Sequence, residues 1–123
     1  MMKTVINMTK LEELTSEIRT FCEERDWTQF HTPKDLAIGL VGEAAELLEL
    51  FRYKNLEESL SALEEKREAV GDELADVFFH LIRFSDLYGF DLSDELRRKM
   101  VKNAVKYPAE KVRGKNLKYD EYE

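Results

Sequence analysis

Cysteine is all but absent from this chain: Cys22 stands alone in 123 residues, so no internal disulfide can form and a disulfide-stapled scaffold is excluded. Proline is as scarce, with two residues, and five glycines leave few further interruptions to regular structure. No apolar run approaches the roughly 20 residues that a helix needs to cross a bilayer. The opening residues carry no charged, apolar and small-residue leader pattern, so the expected compartment is the cytoplasm, with no membrane partner. Positive charge is in deficit. Lys and Arg number 19 against 26 Asp and Glu, a formal net charge of -7 that argues against binding nucleic acid polymers or anionic lipid. An anionic ligand would need a metal or local lysines to be held.

What remains is rich in charge and apolar residues, 37% and 43% of the chain. That balance, with so few breakers, predicts an all-α protein, and the length suits one domain with one core, spanning residues 1–123. Residues 1–8 lack a period and read as a loose lead-in. Thr9-Lys10-Leu11-Glu12 is a capping-box pattern that opens a first helix running to about Arg25. Thr32-Pro33 pairs an N-cap residue with proline at the first helical position and opens a second, expected to end near Tyr53 or Lys54. Leu56 to Leu63 fits either a loop or the opening of the next helix. A third helix covers Glu65 to about Tyr88 and stops at Gly89. Asp91 or Ser93 caps a fourth, closed by Pro108, and residues 109–123 read as a polar tail. The architecture expected is a four-helix bundle-like domain.

The second and third of these helices carry Glu43-Ala44-Ala45-Glu46 and Glu73-Leu74-Ala75-Asp76. A spacing of three puts each pair of carboxylates on one helix face. At about 100° per residue, Glu43 falls inside the stripe formed by Leu36, Leu40, Ala44, Leu47, Leu50 and Phe51, with Glu46 at its edge. Glu73 and Asp76 border the stripe of Val70, Leu74, Val77, Leu81 and Phe84, with His80 between them. A solvated charge run, tied to Arg52 or Arg67, would lie opposite such stripes. Carboxylates placed here need a partner or a shifted pKa, and four converging on one point call for a hard divalent cation such as Mg²⁺. Gly39 and Gly42, beside the acids, leave room for something to approach. A ferritin-like di-iron centre would require Glu-x-x-His on its helices, which neither pair supplies.

Other groups fit a nucleotide or a quieter structural role. Lys99, Asn103 and Tyr107 recur at i, i+4 and i+8, an ammonium, an amide and a phenol suited to a polyphosphate ester. They are equally readable as a snorkelling lysine, a bonded asparagine and a core tyrosine. Trp27, Phe30 and His31 precede the second helix, where they either cover one end of the core or stack on a base. His80 could reach a ligand or bond to an acid. Cys22 reads as a small apolar residue.

Taken together, Arg25-Asp26-Trp27, Gln29 to Lys34, Gly42 to Leu47, Asp72 to Val77, Lys99 with Asn103, Lys106-Tyr107-Pro108 and Lys111 with Arg113-Gly114 resemble the MazG-like, all-α nucleoside triphosphate pyrophosphohydrolases, and among them the dCTP pyrophosphatases. The likeness covers about Ile18 to Lys118. It implies hydrolysis of a nucleoside triphosphate to monophosphate and pyrophosphate, with Mg²⁺ held by Glu43, Glu46, Glu73 and Asp76. It further implies a base met by Trp27 and His31, a nucleotide site lined by Lys99, Asn103 and Tyr107 with Arg113 nearby, and a homo-oligomer, either a dimer or a dimer of dimers. Tyr53 stands where those proteins carry tryptophan and His80 where they carry tyrosine, so both count as candidate substrate-binding positions with altered hydrogen bonding. Glu46 and Glu49 are the candidates for a catalytic base. The expected substrates are pyrimidine deoxynucleoside triphosphates such as dCTP, removed from the nucleotide pool. The rival from another class is an acidic helical module that binds a protein and catalyses nothing.

Overall fold

The computed structural model describes residues 8–116, 118, 120 and 121, so the loose lead-in lies almost wholly outside the described residues. Each helix starts where a side chain can satisfy orphan N–H groups. Thr9 and Glu12 exchange capping-box bonds at the head of α1 (Lys10–Glu24), and Thr32 Oγ1 accepts from Asp35 N at the head of α2 (Pro33–Glu49). Asn55 and Glu58 form a second capping box, so the stretch from Leu56 is neither of the expected forms, a loop or the opening of the next helix, but a separate helix, α3 (Leu56–Glu65). Lys66 breaks the chain before α4 (Arg67–Tyr88), which ends at Gly89 with φ 77°, a left-handed cap that glycine adopts without penalty. Asp91 caps α5 (Leu92–Lys106), and Pro108 precedes a single turn, α6 (Ala109–Val112). No strand occurs among the described residues.

Two further boundaries differ from expectation. The second helix stops at Glu49 rather than near Tyr53, because residues 50–54 close tight backbone turns and Tyr53 takes φ 64° with 89% of its surface exposed. A left-handed non-glycine residue costs roughly 1–2 kcal/mol in a helix, and Tyr53 here marks the chain's exit from it. The polar tail is not wholly irregular either, since Ala109 to Val112 wind onto the carbonyls of Pro108 and Ala109.

The chain divides into two units, one up to Gly89 and one from Phe90 onward. In the first, α4 is the common partner: α1, α2 and α3 all pack on it. Its buried and half-buried line runs through Glu73, Val77, His80 and Phe84, with Val70, Ile82, Arg83 and Ser85 buried beside it. That line is rotated from the stripe expected from the sequence. Leu74, Phe78 and Leu81 form a second apolar line, four and three residues apart, that remains exposed, Leu74 at 53%. Ile38, Val41 and Leu48 leave a matching exposed line on α2. The second unit contains α5 and α6.

Candidate metal centre

Packing of α2 on α4 brings the two acid pairs face to face. One oxygen each of Glu43, Glu73 and Asp76 lies within 4.8 Å of the other two. Glu46, one turn beyond Glu43, also reaches Glu73. The Glu73 carboxyl is pushed up to about 7, first by burial, then by the acceptors of Glu46 and Glu43 and their negative charge. Glu43 Oε2 and Glu73 Oε2 are buried and receive no hydrogen bond. As carboxylates these oxygens lie among like charges; a proton shared within the cluster, or a cation among them, removes the conflict. Two orphaned buried acceptors on facing helices, in a donor set made of oxygens alone, fit a hard divalent ion.

Glu49 lies outside the cluster, its Oε1 taking a 2.8 Å bond from Arg52 at the end of α2. Arg52 also stacks over the exposed Tyr53 ring, 4.7 Å from its centroid. Of the glycines, Gly42 faces open space, whereas the room at Gly39 is already filled: a Cβ there would meet His80 Cδ2 at 2.7 Å. So the small residue at 39 admits a histidine ring of the same chain, a correction to the reading that it leaves space for a ligand. His80 Nδ1 bonds to the Asp76 carbonyl at 2.7 Å, which makes Nδ1 the protonated nitrogen and orients the ring.

Beyond His80 the same face of α4 presents Arg83, which the sequence reading missed. Only 1% of Arg83 is exposed. Its Nε donates to His31 Nδ1 at 3.0 Å and its Nη2 to Thr28 Oγ1 at 2.8 Å. Asp86 sits 3.9 Å from Nη1 but gives its two oxygens to Arg19, at 2.9 and 2.6 Å. The Tyr88 hydroxyl donates to the His31 carbonyl at 2.6 Å. Arg83 was legible in principle: it lies seven residues past Asp76, two helical turns, and is the one cation in the run from Val77 to Phe84. Burial, Arg83 and His80 all hold the His31 pKa below its usual value. Trp27 meets His31 edge-on at 6.4 Å and Phe21 at 5.7 Å, while Trp27 and Phe30 both keep exposed faces, so neither simply seals the core. Cys22 is fully buried.

In the second unit Lys99, Asn103 and Tyr107 follow one another along α5 and its C-cap, where the Tyr107 N–H bonds to the Asn103 carbonyl. Arg113 is the C-cap of α6. No helix among the described residues is long and apolar enough to cross a membrane.

An all-α chain whose facing helices aim paired carboxylates at one point belongs to the class of helical proteins that can hold a metal ion between helices. Residues 39–121 match the model of the MazG-like family, and the chain belongs to that family. It is 39% identical over 111 residues to dCTP pyrophosphatase 1 of Rattus norvegicus, covering 89% of this chain and 65% of that one. To the Homo sapiens protein of the same name it is 37% identical over 113 residues, 90% of this chain and 66% of that one. The chain thus spans about two thirds of the length of these curated relatives. A crystal structure of a pyrophosphatase from Archaeoglobus fulgidus superposes with a TM-score of 0.80 at 36% identity, over 86% of this chain and 99% of that one.

Proposed function

We propose that this protein hydrolyses nucleoside triphosphates to the monophosphate and pyrophosphate in a Mg²⁺-dependent reaction, with pyrimidine deoxynucleotides such as dCTP as substrates, and so clears the cytoplasmic nucleotide pool. The observation that carries the proposal is the pair of orphaned carboxylate oxygens, Glu43 Oε2 and Glu73 Oε2, on facing helices. Glu43, Glu46, Glu73 and Asp76 would hold the ion, which when bound neutralises phosphate charge and polarises the phosphoryl centre. Glu46 is the better placed candidate for the base that takes a proton from attacking water, because it reaches Glu73 in the cluster whereas Glu49 lies outside it, bonded to Arg52. Trp27 and Tyr53 offer flat exposed faces to a base, which give affinity with little selectivity. His31 supplies a polar edge, with His80 behind it. Lys99, Asn103, Tyr107 and Arg113 supply the ammonium, amide, phenol and guanidinium that a charged nucleotide requires. The names of the curated relatives support dCTP as the preferred substrate, and that of the solved neighbour supports release of pyrophosphate.

Incubation with Mg²⁺ and dCTP, dUTP, dTTP, dATP and the ribonucleotides tests this reading, with products identified by phosphorus NMR. Monophosphate and pyrophosphate are expected, with the highest kcat/KM on a pyrimidine deoxynucleotide. Diphosphate with orthophosphate would overturn the reaction, and a preference for purines would overturn the base assignment alone.

The two exposed apolar lines, Leu74-Phe78-Leu81 on α4 and Ile38-Val41-Leu48 on α2, support a homo-oligomer, since a symmetric dimer can bury such lines against their own copies. Light scattering is expected to return at least twice the 14.5 kDa chain mass. A monomer at micromolar concentration would contradict it.

A further inference from the structure

We propose that Arg83 is the positioning residue that fixes the tautomer of His31, holding its proton on Nε2 so that His31 can meet a bound nucleotide only as a hydrogen-bond donor. A guanidinium carries five N–H groups and no acceptor. The 3.0 Å contact from Arg83 Nε therefore requires a lone pair on His31 Nδ1, and the ring's remaining proton must sit on Nε2. A cationic imidazole has no lone pair and is excluded while that bond stands.

Packing alone gives no reason for an arginine at this place. Arg83 is 1% exposed, and its nearest carboxylate, Asp86, is bound at closer range by Arg19. A buried charge with so poor a partner is costly, and an apolar side chain of similar volume would fill the space at lower cost. The guanidinium instead engages two groups of one short segment, His31 Nδ1 and Thr28 Oγ1. That segment is held again by the Tyr88 hydroxyl on the His31 carbonyl and by the His31 N–H on the Thr28 carbonyl at 3.1 Å. Backbone and ring are both pinned, which is what a group that reads one atom of a ligand needs. A free imidazole, by contrast, could present either a donor or an acceptor and so match two different base edges.

The proposal rests on the nucleotide reading only for the ligand it names; the Arg83–His31 arrangement can be tested without any nucleotide. A fixed Nε2–H suits an acceptor such as the carbonyl of a pyrimidine ring and rejects an exocyclic amine presented at the same point.

Nitrogen-resolved NMR of the whole chain reads the tautomer directly. In the wild type, His31 is expected with Nε2 protonated, and Nδ1 should show a scalar coupling across the hydrogen bond to Arg83 Nε–H. A proton on Nδ1 would overturn the proposal whether or not any variant folds. Arg83→Met should remove the coupling and give mixed tautomers. Its KM for dCTP should rise about tenfold with kcat nearly unchanged, as expected when a uniform binding interaction is lost. Placed on a His31→Ala background, Arg83→Met should add nothing to KM; additive losses would show a merely structural arginine and overturn the assignment. If Arg83→Met does not fold, the wild-type spectrum alone decides: Nε2–H with the coupling to Arg83 Nε–H supports the proposal, and Nδ1–H overturns it. Failure of the wild type to turn over any nucleotide would sink the functional reading while leaving the NMR result standing.

Discussion

Glu73→Gln is expected to cut Mg²⁺-dependent turnover of dCTP by on the order of 10²–10³-fold, the loss typical when one preorganised electrostatic group is removed from a reacting centre. The amide keeps the size of the side chain but replaces a negative ligand atom with a neutral one, next to Glu43, Glu46 and Asp76. Glu43→Gln should behave alike, because its Oε2 is the other orphaned acceptor. Glu49→Gln should cost far less, since that carboxylate is engaged by Arg52 outside the cluster. Steady-state kinetics on the three variants provide the check. Equal losses at Glu49 and Glu73 would show that the cluster is not where the chemistry lies.

The same cluster should make stability depend on pH and metal in opposite senses. Glu73 goes from its usual 4.5 to about 7 in the folded, metal-free chain. Between those values the folded state holds a proton that the unfolded state has released, so stability falls as pH rises through that window and the loss is complete above about 7. In EDTA, the Glu73 proton should therefore raise the melting temperature at pH 5 relative to pH 8, against the opposing contribution of His31, whose lowered pKa favours the folded state at the higher pH. Glu73→Gln should flatten that difference and raise the melting temperature at pH 8, because it relieves the repulsion that the proton relieves at pH 5. Mg²⁺ should reverse the slope in the wild type, since it takes the proton's place most readily once the carboxylates are ionised, and a ligand bound only to the folded state stabilises it. Thermal melts of both proteins over that range read all of this. An acidic protein-binding module without a metal predicts no response to Mg²⁺ at either pH.

Much of the fold was legible in the sequence, as was the grouping of the acids in the candidate site, because both depend on local chemistry. Thr9, Thr32 and Gly89 mark helix ends through bonds formed within a few residues, and the four acids announce themselves by lying on or beside apolar stripes. The facts that escaped depend on which helix faces which. The buried line of α4 passes through Glu73 and His80 rather than Leu74 and Leu81, a rotation that only the packing of α1, α2 and α3 around it decides. Gly39 reads as open space because nothing in its neighbourhood names His80, 41 positions away in the chain, as its occupant. Arg83 escapes for the same reason: its partners, Thr28 and His31, are 55 and 52 residues distant. The end of α2 is misplaced because tyrosine gives no warning of a positive φ, as asparagine or glycine would do.

The central claim is that carboxylates of α2 and α4 together form a divalent-cation site, and binding of Mn²⁺ as a paramagnetic stand-in for Mg²⁺ tests it most directly. Titration followed by electron paramagnetic resonance should show saturable binding to the wild type, displaced by Mg²⁺, with affinity lowered by at least about tenfold in Glu43→Gln on α2 and equally in Glu73→Gln on α4. Unchanged affinity in either variant would contradict the account, because a site supplied by one helix alone leaves the other helix's buried carboxylate unexplained.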